Sequence, residues 1–137
     1  MATTQPETIT IIKLDPAHKD ERGYILNVID DQRISHVAVY TAKKGSVRGN
    51  HYHPKQLQWV YLVSGKYVSY SKDTRNKDAH IRKEIITPGM LVFSPPMVAH
   101  AEEHLEDSVL INITDGERDP AKFGEHTIKF ELVKQKS

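Results

Sequence analysis

GSVRGNHYHPKQLQWVYLVSG, residues 45–65, carries two histidines two positions apart, His51 and His53. Side chains alternate across a strand, so a strand here sets both imidazoles on one face. Gln58 follows five positions after His53 and heads the run Gln58-Trp59-Val60-Tyr61-Leu62-Val63. Gln58, Val60 and Leu62 share one face of that strand, and Trp59, Tyr61 and Val63 share the other. A strand apolar on both faces is covered on both, by a second sheet or by another subunit. A second stretch answers the first. Residues 89–104 read GMLVFSPPMVAHAEEH, and alternation sets His100, Glu102 and His104 on one face. His100 is the natural third member of a histidine cluster with His51 and His53.

Outward from these two stretches the chain is a series of short β-type runs separated by turn residues. Strands are expected at 8–14, 24–29, 34–41, 48–53, 58–63, 67–71, 80–86, 90–93, 98–104, 108–113 and 127–133. Gly65-Lys66 reads as a tight turn, residues 72–78 as a hairpin loop, and Pro120 to Phe123 as a short helix. The ends, Met1 to Gln5 and Lys134 to Ser137, read as loose. Regular short strands with no long 3.6-residue period point to an all-β fold, an antiparallel sandwich or small barrel. One domain is expected over residues 1–137, with its core over about 8–133.

Composition narrows the function. The 137 residues have no cysteine, which excludes disulfides and thiolate metal sites. Nineteen basic and eighteen acidic residues give a formal charge of +1, which predicts neither a nucleic-acid nor a membrane partner. There is no apolar run long enough to span a bilayer and no leader-like start, so a cytoplasmic protein is expected. Three imidazoles and an amide oxygen, from His51, His53, His100 and Gln58, are a donor set for Zn, Fe, Mn or Ni. The alternative is that these groups bond each other or a substrate without metal.

The two stretches resemble the paired motifs of the cupin superfamily, a jelly-roll β fold. Gly45, His51, His53 and Gly65 fit the first motif, with Gln58 where a glutamate is usual. Gly89, Pro95 and His100 fit the second, with Met97 in the place of its glycine and His104 in the place of its asparagine. Arg48-Gly49-Asn50-His51-Tyr52-His53 is similar to the RG-x-H-x-H of cupins that act on nucleotide sugars, the 3,4-ketoisomerases and 3,5-epimerases of keto-deoxysugars. It is also similar to the C-terminal cupin domain of capsular polysaccharide enzymes. Asp20-Glu21-Arg22-Gly23, Gln58-Trp59 and residues 94–100 resemble those proteins too. The stretch from Asp115 to Phe123 departs from the ketoisomerases, whose acidic tail is rich in tyrosine.

This resemblance implies an isomerase of nucleotide-linked keto-deoxysugars, working by proton transfer beside a carbonyl and needing no cofactor. His51 is then the base, His53 a proton shuttle, and Glu102 an orienting group or base. Arg48 holds a diphosphate, provided a bulge at Gly49 brings it to the face of His51. Tyr40, Gln58 and His104 contact substrate, and a nucleotide base stacks on Tyr40 or on another of the rings Tyr52, Trp59, Tyr61, Tyr67 and Tyr70. A homodimer is expected. The rival readings are a metal-dependent cupin oxygenase of a small organic substrate and a non-catalytic sugar- or small-molecule-binding cupin.

Overall fold

The computed structural model describes residues 8–116 and 120–135. The strands are β1 (Thr10–Lys13), β2 (His18–Asp20), β3 (Gly23–Ile25), β4 (His36–Ala42), β5 (Val47–Tyr52), β6 (Gln58–Asp73), β7 (Arg82–Ile86), β8 (Met90–Ser94), β9 (Val98–Thr114) and β10 (Ile128–Lys129). A 3-10 turn over Pro120–Lys122 leads into the single helical turn α1 (Phe123–His126). Met1 to Gln5 lies outside the described residues. No helix among the described residues is long and apolar enough to cross a membrane.

The expected all-β fold is what the chain adopts. Eight strands form one antiparallel sheet with the path β1-β8-β6-β9-β5-β10, to which β4 adds through β9 and β7 through β6; β2 and β3 make a separate hairpin. The spine is the ladder between β6 and β9, which runs from Gln58↔Thr114 to Asp73↔Val98. Val60, Leu62, Tyr67, Val98 and Leu110 from both halves of this ladder meet Ile86 of β7 and Val92 of β8 in one core cluster. The sheet therefore curls over itself around one apolar plug, and the polar residues of the same faces lie above it. Trp59 is buried on the opposite face, among Leu91, Ile113 and Phe93, under Leu14, Val28 and Ile29. The chain itself covers that face there; Val63, its expected face-mate, is 46% exposed.

Four expectations are corrected. Gly65 does not end a strand. At φ +102° it lets β6 bulge against β9, where a Cβ would lie 2.6 Å from the Asp107 carbonyl oxygen. Residues 58–73 are therefore one strand, and 98–114 likewise, with register shifts taking up the irregularity between Leu62 and Tyr67. The strand expected at 24–29 is shorter and sits in the β2–β3 hairpin. The strand expected at 127–133 forms a ladder only over Ile128–Lys129, opposite Tyr52 and His51. Gln135, expected to be loose, is tied to β5: its Oε1 accepts from the Val47 N–H and its Nε2 donates to the Gly45 carbonyl.

Candidate functional site

The site is built on a bulge. In β5, Arg48 pairs with Glu102 and Gly49 with Ala101, but the next partner, His100, faces His51. Asn50 is the extra residue. Gly49 and Asn50 both take left-handed backbone, φ +89° and +58°, which glycine and asparagine tolerate best. No side chain larger than hydrogen fits at Gly49, since a Cβ would stand 2.8 Å from the His100 carbonyl oxygen. Strict alternation would send Arg48 and His51 to opposite faces. The inserted residue reverses this, and both line the same cavity.

His51, His53 and His100 come together as expected, each offering a ring nitrogen within 4.8 Å of the others. The ring centroids are 4.7 Å apart for His51 and His100, 4.9 Å for His51 and His53, and 5.4 Å for His53 and His100. His53 is buried, and its Nδ1 lies 2.9 Å from the His126 carbonyl oxygen. A carbonyl only accepts, so Nδ1 carries a proton and Nε2 is the acceptor of the neutral ring. Gln58 Oε1, also an acceptor, sits 3.0 Å from that Nε2. Two acceptors at this distance suit a shared cation or an imidazolium, or call for the amide to turn its NH₂ inward. Three imidazoles with an amide oxygen alongside thus fit a divalent cation such as Zn, Fe, Mn or Ni.

In front of the histidines lies a cavity of about 360 Å³, lined by Tyr40, Val47, Arg48, Gly49, His51, Gln58, His100, Glu102 and Asn112. Arg48 is at its exposed rim, its Nε and Nη2 donating to the Thr41 carbonyl at 3.0 and 2.7 Å. Its guanidinium lies 5.8 Å from the centre of the Tyr40 ring. A cation thus occupies the ring face that was expected to stack on a base. The Tyr40 hydroxyl donates to Glu102 Oε2 at 2.8 Å. Burial, then the charge of Glu102, pushes the Tyr40 phenol well above the ordinary tyrosine range. The other Glu102 oxygen meets His104 Nε2 at 3.0 Å, and His104 Nδ1 meets Ser108 Oγ at 2.9 Å.

Of the residues singled out in the sequence, Arg48, Tyr40, His51, Gln58, His100 and Glu102 line the cavity. His53 and His104 are 2% and 1% exposed and stand behind it, where they reach a substrate only through His51, Gln58 or Glu102. Asn112 was not anticipated. Its Oδ1 is buried without a hydrogen-bond partner among the described residues, although its residue lines the cavity. Ser108 and the contact of the segment at the end of α1 with His53 were not anticipated either. The parity of β9 (His100, Glu102, His104, Ser108, Asn112) would have found Ser108 and Asn112, had residues 98–114 been read as one strand.

A family model described as the polysaccharide biosynthesis C-terminal domain matches residues 18–114. No curated protein sequence matches the chain. Among solved structures, the chain is similar to NovW, a 4-keto-6-deoxy sugar epimerase of Streptomyces spheroides, with 18% identity and a TM-score of 0.69 over 82% of this chain and 66% of that one. It is similar to a 3,4-ketoisomerase from Helicobacter canadensis, with 16% identity and a TM-score of 0.72 over 88% of this chain and 90% of that one. It is also similar to the capsular polysaccharide assembling protein CapF of Staphylococcus aureus, with 25% identity and a TM-score of 0.64 over 87% of this chain and 34% of that one. The chain therefore spans about two thirds of NovW and about one third of CapF. The likeness to the epimerase and the ketoisomerase is one of fold. The family match covers most of the sheet and both histidine stretches, and the chain belongs to the polysaccharide biosynthesis C-terminal domain family.

Proposed function

We propose that the chain is an isomerase of nucleotide-linked keto-deoxysugars, an epimerase or a 3,4-ketoisomerase that moves a proton on the carbon beside a carbonyl. The observation that carries this reading is one cavity with an imidazole, His51, on its wall together with the phenol–carboxylate pair of Tyr40 and Glu102. A C–H bond beside a carbonyl is weakly acidic. Its cleavage needs a base that works near neutral pH and a donor to the enolate oxygen.

His51 takes the proton. Tyr40 keeps its own proton because its pKa is raised, and it donates to the developing oxyanion by turning from Glu102. Asn112, on the cavity wall, offers its amide to a substrate hydroxyl. Arg48 spends two of its donors on Thr41 and has others to offer a diphosphate at the rim. His53 supports His51 from behind rather than meeting substrate.

The same imidazoles with Gln58 would hold a divalent cation, which when bound would polarise a substrate oxygen as a Lewis acid. This cluster also favours a second reading, a metal-dependent oxygenase of a small organic substrate. A homodimer is in keeping with β4, which among the described residues pairs only with β9 and exposes Val37 and Val39 at 60% and 70%.

The test is His51→Asn, which keeps a polar group of similar size without a titratable nitrogen. With a nucleotide-linked 4-keto-6-deoxyhexose, turnover should fall about 10²–10⁴-fold while nucleotide binding persists. Turnover near the wild-type rate would remove His51 from the role of base. Oxygen uptake with a small organic acid, lost on chelation, would favour the second reading.

A further inference from the structure

Residues 126–135 run along the edge of β5 as a strap, and three of their anchors come from one side chain. Beyond the short Ile128–Lys129 ladder, the Phe130 N–H donates to the Asn50 carbonyl at 2.8 Å. Asn50 Oδ1 accepts from the Leu132 and Val133 N–H groups at 2.8 and 3.2 Å, and its Nδ2 donates to the Val133 carbonyl at 2.8 Å. Asn50 is the bulged residue of β5, and the bulge is what frees its amide to point along the sheet edge. At the other end of the strap, the His126 carbonyl meets His53 Nδ1 at 2.9 Å, and the Thr127 hydroxyl lies 3.3 Å from the same atom.

We propose that Asn50 and this strap form a positioning device that sets the tautomer of His53. The carbonyl accepts and cannot donate, so the docked strap holds the proton on Nδ1. The Nε2 lone pair is then turned toward Gln58 and the other two histidines. With the opposite tautomer, two lone pairs would face each other at 2.9 Å in a buried site. One inserted residue therefore does two things: it brings Arg48 and His51 to one face and ties down the segment that orients His53. The inference goes beyond the proposed reaction, because it concerns which nitrogen of His53 is the acceptor and holds whether that acceptor serves a proton or a cation.

Asn50→Gly tests it, since glycine accepts the left-handed backbone and removes only the amide. Two readouts are needed: amide exchange over residues 128–133, and ring ¹⁵N chemical shifts of His53 above neutral pH. The wild-type ring should read as Nδ1–H. In Asn50→Gly, the loss of three hydrogen bonds should speed exchange of the strap by about tenfold or more, and His53 should become a mixture of tautomers. Asn50→Asp keeps the acceptor for Leu132 and Val133 but sets a carboxylate oxygen against the Val133 carbonyl, so it should restore only part of the Nδ1–H form. Gln135→Ala loosens the far end and gives the same test if Asn50→Gly does not fold. Faster strap exchange with His53 still wholly Nδ1–H would overturn the proposal. So would strap exchange that Asn50→Gly leaves unchanged, or a wild-type ring that carries its proton on Nε2. None of these readouts involves a sugar substrate, so a failure of the proposed reaction would leave them standing, and the reverse.

Discussion

The triad of His51, His53 and His100 and the chain Tyr40–Glu102–His104–Ser108 both reach β9, two residues apart, and border the same cavity. The chain is closed. Ser108 donates to the Glu106 carbonyl at 2.9 Å, which makes its oxygen the acceptor for His104 Nδ1–H and turns His104 Nε2 to Glu102. Tyr67 packs on the His104 ring, with centroids 5.2 Å apart. The triad is built of imidazoles alone, with no carboxylate among the described residues in the cluster. Its frame is also strained. Asn50 at φ +58° precedes His51, and Met97 at φ +70° donates its N–H to the His53 carbonyl at 2.9 Å; among the described residues Asp31 is the only other non-glycine with positive φ. Strain gathers where function holds a geometry in place. The difference separates a hydrogen-bonded wall, which holds the Tyr40 phenol at the cavity, from an imidazole cluster held in a strained frame.

The largest effect expected from this contrast is on stability. Glu102→Ala leaves the buried His104 Nε2 and the Tyr40 hydroxyl without their hydrogen-bond partner and should cost about 1–3 kcal/mol for each in denaturant unfolding. His51→Asn should cost far less. Equal losses for the two variants would erase the distinction.

A smaller effect tests the triad. Gln58→Glu adds a charge beside three imidazoles and should raise affinity for Zn²⁺ or Ni²⁺ by at least about tenfold in calorimetry. Unchanged affinity would mean that the cluster does not gather around a cation.

The smallest concerns the frame. Met97→Gly relieves a left-handed backbone that costs about 1–2 kcal/mol in an L-residue, against about 0.5–1 kcal/mol of extra chain entropy for glycine. A net gain of about 0.5–1 kcal/mol is expected from these two opposing terms. A loss of stability would show that the Met97 side chain, not its backbone, matters.

Much of this was legible in the sequence, because period-two alternation fixes faces wherever a strand is regular. The spacing of His51 and His53, the shared face of His100, Glu102 and His104, and the all-β fold all follow from it. The need for a bulge at Gly49 was legible too, as the condition for Arg48 to join His51. What was lost lies where a strand is irregular but continuous. Gly65 reads as a turn and Leu105 to Asp107 as a break, yet bulges absorb both, and the parity that links His104 to Ser108 and Asn112 runs on. The strap escaped for a different reason: its anchors are the amide of Asn50 and the backbone of residues 130–133, a pairing 83 positions apart that no local pattern announces.

The most direct measurement is of the proton itself. Incubation with a nucleotide-linked 4-keto-6-deoxyhexose in D₂O, followed by proton NMR, should put deuterium on the carbon beside the carbonyl, at a rate that His51→Asn lowers about 10²–10⁴-fold. A sugar that stays fully protonated at that carbon while it is demonstrably bound in the cavity would contradict proton transfer as the function of this site.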